Sequence, residues 1–306
     1  MKKYYLVLIA LSLIALWPFF KKGYFETHDG EWIVIRFSAF HQTLASGQFP
    51  VRFVDRLNNN YGYPVLNFLY PLPFYLSEVP KTIGFGFVDS VKITFIISSV
   101  FSVVTMFWAL SQYFSKYASL AGSIIYLFIP YRFIDLYVRG SLGENVAFAI
   151  APLVLGSILK LAKGQRIFLP VLVISVGLLM TSHNVIAVLF IPLLFLIAIL
   201  IVKEERLKIT EAFFAGFLIS AFLSGSALTI AGITASVFCN SANAASEYAR
   251  FSPRGAFLLE AGAIDDAEDG ADDDSGLTST PEVAETLPVC APFDADPVSG
   301  GSTRST

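Results

Sequence analysis

The chain has 306 residues, of which 55% are hydrophobic, 15% aromatic and only 15% charged, and its formal net charge is -3. Soluble domains carry about 25% charged residues, so this composition excludes an ordinary soluble enzyme and favours an integral membrane protein. The small net charge hides an asymmetry, since residues 1–230 carry 18 Lys and Arg against 11 Asp and Glu, whereas residues 231–306 carry 3 against 13.

The first predicted element is the apolar run 4–20, which follows Lys2 and Lys3. The run is long for the apolar region of a secretory signal peptide, and "ALWPFFKKG" contains no small-x-small cleavage site. We therefore expect a retained signal anchor.

Six further apolar stretches approach the length of about 20 residues that a helix needs to cross a bilayer. They are residues 90–111, 118–137, 144–161, 167–181, 184–202 and 211–230. With residues 4–20 they predict an all-α, polytopic membrane bundle of about seven transmembrane helices in a domain spanning residues 1–230.

Positive charge in the short loops sets the predicted orientation, because loops rich in Lys and Arg stay in the cytoplasm. Nine such residues fall on the side of the N-terminus: Lys2, Lys3, Lys116, Lys160, Lys163, Arg166, Lys203, Arg206 and Lys208. We therefore expect a plasma-membrane protein with a cytoplasmic N-terminus. The loop 21–89 and the turns 131–144 and 181–184 then lie on the extracytoplasmic face.

The loop 21–89 contains two segments typical of a membrane surface. In "EWIVIRFSAFHQTL", residues 31–44, apolar side chains recur at nearly helical spacing, which predicts an amphipathic interfacial helix. The segment 61–76, "YGYPVLNFLYPLPFYL", contains four tyrosines and three prolines. It suits either an interfacial aromatic belt or a wall of a lipid-facing groove.

Polar residues beside the predicted helix start are functional candidates, because polar groups near a membrane are costly. Thr27 or Asp29 could cap the helix by accepting backbone N–H bonds. Alternatively, Asp29 is a general base next to His28. A divalent cation, Mg²⁺ or Mn²⁺, held by Asp29 with Glu31 or Glu144 is a further interpretation, although the chain shows no metal-ligand spacing.

The turn 131–144 holds a second group of charges. Arg132, Asp135 and Arg139 have the spacing i, i+3, i+7 and share one helical face. They form either a structural ladder or a site in which one arginine pairs with Asp135 and the other grips a phosphate. "SLGE", residues 141–144, matches a capping box with Glu144 at its third position.

His183 and Asn184 form a turn so short that the flanking helices must be neighbours, and a structural role for His183 competes with a role in binding. After about residue 224 the composition becomes rich in Asp, Ala, Gly and Ser, which predicts a low-complexity, disordered tail over residues 231–306. The tail is either genuine or the product of a frame change or truncation. The chain carries no nucleic-acid signature.

In chain order, "THDGEWIVIRFSAFHQTLASGQFPVRF", "YGYPVLNFLYPLPFYL", "IDLYVRGSLGENVAFAIAPLVL" and "TSHN" resemble the bacterial and archaeal membrane family labelled 6-pyruvoyl-tetrahydropterin synthase-related. That family is similar to a branch of the C-type (GT-C) glycosyltransferase superfamily. The resemblance covers residues 1–224. Members usually continue with further spans, and this chain departs from them there.

The resemblance implies an enzyme that takes a sugar from a polyprenyl-phosphate carrier in the bilayer, on the outer face. Asp29 occupies the place of the superfamily's catalytic or metal-binding carboxylate. The expected substrate-binding residues are His28, Arg132, Asp135, Arg139, Glu144 and His183. The alternative is a non-enzymatic lipid-linked-sugar binder, flippase or scaffold. Charges at the ends of the predicted spans favour the enzyme, because transporters usually carry them near mid-membrane.

Overall fold

A computed structural model describes residues 2–202 and 205–224, all within the first of two units of the chain, Met1–Ala231. The described part is helical and contains no strand, only an isolated bridge between Val54 and Tyr63. The predicted disordered tail, 231–306, and the choice between a genuine and a frame-changed tail lie outside the described residues.

Eleven α-helices are present in the part that the structure describes. They are α1 (Lys2–Ala15), α2 (Gly30–Ala45), α3 (Val65–Phe68), α4 (Leu72–Ile83), α5 (Phe87–Leu110), α6 (Lys116–Phe128), α7 (Pro130–Ile134), α8 (Leu142–Ala162), α9 (Leu169–Ser182), α10 (Asn184–Ile201) and α11 (Arg206–Ser224). Single 3₁₀ turns cover Trp17–Phe20 and Arg166–Phe168, and a π-helical turn covers Asp135–Arg139.

Helices occupy all seven positions predicted as spans, but fewer have the dimensions of a span. Within the described residues, three helices are long and apolar enough to cross a membrane, namely α5, α8 and α10, and the bent pair Lys116–Phe128 and Pro130–Arg139 would make four. The prediction of seven spans is therefore not supported. The helices α1 and α9 have 14 residues each, or about 21 Å at 1.5 Å per residue, because turns interrupt the apolar runs.

The bend in the third predicted span has a local cause. α6 ends at Phe128, Ile129 takes an extended conformation, and Pro130 begins α7 as its first residue. A proline lacks the N–H that would continue the helical ladder, so a break of this kind is expected. The second arm ends in the π-helical turn, after which Gly140 takes the left-handed conformation at φ 70°.

The core of the described bundle is built around α8, whose buried face packs against α5 and α9. Val154, Ile158 and Leu172 are fully buried where α8 and α9 meet. A second apolar cluster joins α2 and α4 to α5 through the rings of Phe37 and Phe95 and their neighbours. The long segment between α1 and α5 is thereby fixed on the bundle.

The helix α2 confirms the prediction of a helix at residues 31–44. It buries Ile33, Phe37 and Phe40 against the protein, whereas Trp32 and Ile35 remain exposed. The apolar side chains of this helix therefore form a buried set and an exposed set. Its position at a membrane surface remains a prediction.

The basic loops predicted to be cytoplasmic meet at one end of the bundle. The Lys163 ammonium donates a hydrogen bond to the Gln112 carbonyl, which joins the loop after α8 to the loop after α5. Arg166 pairs with Glu205 at 2.5 Å, which joins the same loop to the start of α11. The shared position of these loops agrees with the alternation predicted from charge, while the orientation itself remains a prediction.

Candidate functional site

The first turn of α2 is fixed against the π-helical turn by two backbone hydrogen bonds. The His28 N–H donates to the Val138 carbonyl at 3.0 Å, and the Asp29 N–H donates to the Arg139 carbonyl at 2.8 Å. Segments more than 100 residues apart in the sequence, predicted to share one membrane face, are thereby in direct contact. The His28 side chain itself is exposed.

The capping interpretation applies to Thr27 rather than to Asp29. The Thr27 hydroxyl accepts the Gly30 N–H at 3.0 Å, while Asp29, the residue before α2, makes no side-chain capping bond. The half-buried Asp29 carboxylate makes no hydrogen bond or ion pair with any residue that the structure describes. It is therefore available to a substrate.

Glu144 connects three segments in the first turn of α8. Its Oε2 accepts the Tyr131 hydroxyl at 2.7 Å, and its Oε1 accepts Arg139 Nη1 at 2.5 Å. The predicted capping box is wrong, because Ser141 precedes α8 without a side-chain capping bond. The carboxylate is buried, and a charge-assisted bond to a guanidinium stabilises it more than a neutral backbone N–H does.

His183 faces Glu144 from the turn between α9 and α10. Its Nδ1 accepts the Ile186 N–H at 3.4 Å, which assigns the proton to Nε2. That Nε2 lies 3.7 Å from Glu144 Oε1. Burial lowers the pKa of His183, so the ring is a neutral N–H donor near pH 7. The prediction that this short turn makes its flanking helices neighbours is confirmed.

Tyr70 completes the cluster, and sequence reasoning singled it out only as one of four tyrosines. Its ring centroid lies 4.7 Å from that of His183. Burial raises the pKa of Tyr70 to about 12, and the charges of Asp29 and Glu144 add to the rise. We name Tyr70, Arg139, Glu144 and His183 the polar cluster, and Asp29 adjoins it through the bond from its N–H to the Arg139 carbonyl.

The predicted ladder of Arg132, Asp135 and Arg139 forms only in part. Asp135 is buried, and its Oδ1 lies 4.0 Å from Arg139 Nη1. The π-helical turn places Arg139 near Asp135, whereas the Arg132 guanidinium bonds Ser102 and Asn145. Since the Arg139 side chain is 38% exposed, it has a face open to a ligand.

Arg132 is buried within the bundle and is only 2% exposed. Its guanidinium donates to Ser102 Oγ at 2.6 Å and to Asn145 Oδ1 at 3.3 Å. The rings of Tyr126 and Phe148 lie 5.1 Å and 5.6 Å from it. These contacts point to a structural role and leave no open face for a phosphate.

Arg132 bonds one residue well along α5 and one in the first turn of α8, since Asn145 is the fourth residue of that helix. Ser102 is 15 residues beyond the start of α5, which corresponds to about 22 Å along the helix. Asn145, which sequence reasoning missed, connects α8 to α5. It donates to Ser98 Oγ at 2.6 Å and accepts from the Ser99 hydroxyl at 2.9 Å. The signal available for Asn145 was an amide within an apolar run.

An apolar groove of about 330 Å³ lies between α4, α5, α8 and α9. Leu72 and Leu76 from the Tyr- and Pro-rich segment face Val146 and Ile150 of α8 across it. Val146 lies two residues after Glu144 on α8, so its side chain points to a different side of the helix from that of Glu144. A role of residues 61–76 in a lipid-facing groove remains a prediction.

The described residues contain no group of three or more His, Cys, Asp or Glu side chains suited to a metal ion. Glu144 already accepts Tyr131 and Arg139, and Glu31 is exposed on α2. A divalent cation held by Asp29 with one of these carboxylates stays a prediction.

Comparison with known proteins adds a distant relative. No family model matches the chain. An uncharacterized protein of Lactococcus lactis subsp. cremoris (strain MG1363) is 23% identical over 214 residues, which cover 67% of this chain and 35% of that protein. The chain therefore spans about a third of the length of the curated relative it matches.

Proposed function

We propose that this chain carries the active site of a membrane glycosyltransferase of the GT-C type. It would move a sugar from a polyprenyl-phosphate donor to an acceptor on the extracytoplasmic face. The observation that carries the proposal is the Asp29 carboxylate, which is half-buried beside the polar cluster and makes no bond with a described residue. Multi-pass insertion and outward orientation are part of the proposal.

In this mechanism Asp29 is the general base. It accepts the proton of the acceptor hydroxyl as that oxygen attacks the anomeric carbon, and the bond between this carbon and the phosphate oxygen breaks from the opposite side. The configuration inverts, and the prenyl phosphate leaves with the bonding electron pair. Phosphate is a competent leaving group, so the reaction needs no second carboxylate as an acid.

Arg139 suits the departing phosphate. Arg139 is held by Glu144 through Nη1, which leaves the remaining guanidinium donors for phosphate oxygens. The N–H of neutral His183 faces Glu144, so His183 supports the carboxylate that positions Arg139. Positioned donors of this kind stabilise charge that develops in the transition state.

The apolar groove suits the prenyl chain. It is lined almost only by aliphatic and aromatic side chains, among them Val146 and Ile150 of α8. Burial of about 25 cal/mol per Å² of apolar surface would hold the donor by its lipid part. The groove thereby explains why a soluble sugar phosphate would be a poor donor.

The test is transfer of radiolabelled sugar from polyprenyl-phosphate donors in membranes that contain the full chain. We expect Asp29→Asn to abolish transfer at unchanged protein level, because the amide cannot accept the proton. The matched control is Glu31→Gln, a change of the same kind at an exposed position two residues away. Unchanged transfer by Asp29→Asn would exclude Asp29 as the base.

The second candidate is a lipid-linked-sugar binder, flippase or scaffold that uses the same groove. It is favoured by the buried charge of Arg132 far along α5, since ionisable residues within a membrane often mark transport paths. This reading predicts donor binding without sugar transfer. It also predicts that Asp29→Asn is tolerated, whereas substitution of Arg139 or Arg132 is not.

A further inference from the structure

A further cavity, mostly apolar with a few polar groups at its wall, borders α2 at Trp32 and Arg36. Its volume is about 320 Å³, and it is lined by Trp32, Ile35, Arg36, Leu57, Asn58 and Tyr63. The Trp32 side chain is 59% exposed although it is large and apolar. The Arg36 guanidinium carbon lies over the Trp32 indole, 5.9 Å from the ring centroid. The proposed transfer mechanism uses none of these residues.

The loop that closes this cavity is held in a defined shape. The Val54 N–H donates to the Tyr63 carbonyl at 3.0 Å, and the Tyr63 N–H returns a bond to the Val54 carbonyl at 3.1 Å. Arg56 Nη1 donates to Ser38 Oγ on α2 at 3.1 Å. The loop is therefore tied at its base and fixed to the helix that carries Trp32.

The tip of this loop presents three consecutive asparagines, Asn58, Asn59 and Asn60. All three are exposed, and their φ angles of 57°, 55° and 67° lie in the left-handed region. Positive φ is uncommon outside glycine, although asparagine tolerates it better than most residues. A run of three keeps the loop tip turned beside Trp32, with its amides accessible.

The chemistry of the cavity matches a carbohydrate. A sugar ring has C–H groups on its faces, which pack against the negative face of an indole, and hydroxyl groups around its edge. The Asn58 amide, which lines the cavity, offers both donors and an acceptor to such hydroxyls, and Arg36 adds further donors. A lipid chain would use the apolar surface of Trp32 and Ile35 but none of these polar groups.

Two residues that line the cavity share a face of α2 with the proposed base, Asp29. Asp29, Trp32 and Arg36 are spaced i, i+3 and i+7 on one face at the start of α2. Trp32 is about 4.5 Å and Arg36 about 10 Å from Asp29 along the helix axis. An oligosaccharide of two or three rings fits this distance.

We propose that Trp32, Arg36, Asn58 and Tyr63 form a carbohydrate-binding subsite that holds the acceptor, with its terminal ring directed toward Asp29. This inference rests on the proposed transferase function. It assigns the acceptor hydroxyl to a saccharide and not to a lipid or a protein. The binding part can be measured without transfer.

The experiment is saturation-transfer difference NMR on the full chain in detergent, with maltotriose, mannotriose and chitotriose as probes. We expect signal from at least one trisaccharide. Trp32→Ala should weaken its binding by about tenfold or more, as loss of an aromatic anchor from a binding site does. The control is Trp17→Ala, which removes a tryptophan that is 63% exposed at another position. A melting curve for each variant verifies the fold.

The outcomes separate this subsite from the transferase proposal. Asp29→Asn should retain trisaccharide binding while it loses transfer. Transfer that persists without Trp32-dependent binding of any probe would overturn the subsite and leave the transferase proposal standing. Trp32-dependent binding of a trisaccharide without any sugar transfer would support the subsite and overturn the transferase proposal. If Trp32→Ala only lowers flotation of the protein with phosphatidylglycerol vesicles, Trp32 is a membrane anchor, and the subsite is wrong.

Discussion

His183 Nε2 lies 3.7 Å from Glu144 Oε1, which connects the turn between α9 and α10 to the first turn of α8. Glu144 accepts the Tyr131 hydroxyl and Arg139 on its other sides. One buried carboxylate therefore organises three segments around the proposed phosphate position.

The first prediction concerns Glu144→Gln. The amide keeps an acceptor for Tyr131 but loses the charge that holds Arg139, so the free energy of unfolding should fall by about 2 kcal/mol. Transfer should fall as well, because Arg139 would lose its fixed position. Chemical denaturation in detergent measures the first effect. The control is Glu26→Gln on the exposed loop, and equal stability of the two variants would contradict a structural role for Glu144.

The second prediction is a pH dependence from His183, whose pKa burial lowers in the folded state. The unfolded chain then binds the proton more readily than the folded one. His183 therefore contributes stability above its unfolded pKa of about 6.5, and this contribution is lost as the pH falls through the lower folded value. The His183 contribution to the melting temperature should therefore fall between pH 7.5 and 5.5.

His183→Asn isolates this effect, because asparagine can still cap α10 by accepting the Ile186 N–H. The variant should lose much less stability than the parent protein over the same pH range. His28→Asn, at an exposed histidine, is the control and should keep the parent's slope. A slope that survives in His183→Asn would assign the pH dependence to another group.

The third prediction tests the buried network of Arg132. Arg132→Met and Asn145→Ala should each destabilise the protein strongly, by about 3 kcal/mol, because each leaves buried polar partners without a bond. Since the two side chains are in contact at 3.3 Å, the double variant should cost less than the sum of the two single changes. Strict additivity would mean that the contact contributes nothing.

The fourth prediction concerns Gly143, where α8 approaches Tyr70 and the end of α9. A Cβ there would lie 2.3 Å from a Tyr70 ring carbon and 2.8 Å from the Ser182 carbonyl oxygen. Gly143→Ala should therefore displace the polar cluster, reduce transfer, and lower stability by about 1–3 kcal/mol. Gly86→Ala is the control, because its Cβ would meet only Asp89 Oδ2, at 3.9 Å. Normal transfer by Gly143→Ala would show that the cluster tolerates displacement.

Local patterns in the sequence determined the helical class, the start of α2 near Asp29 and the short turn at His183, and they narrowed the cap to Thr27 or Asp29, of which the structure has Thr27. These features depend on side-chain periodicity and on hydrogen bonds within a few residues, so a single stretch of chain contains the information. The span count failed for a related reason, since hydropathy does not register the turns that shorten α1 and α9.

Tertiary structure alone decided the partners of the charged residues. Glu144 matched a local capping pattern, yet it bonds Arg139 and Tyr131, because burial makes a charged partner worth more than a backbone N–H. The spacing of Arg132 and Arg139 implied one face, but the π-helical turn shifts the phase by a residue and the bend at Pro130 directs Arg132 into the bundle. Tyr70 reaches His183 only because distant segments pack together.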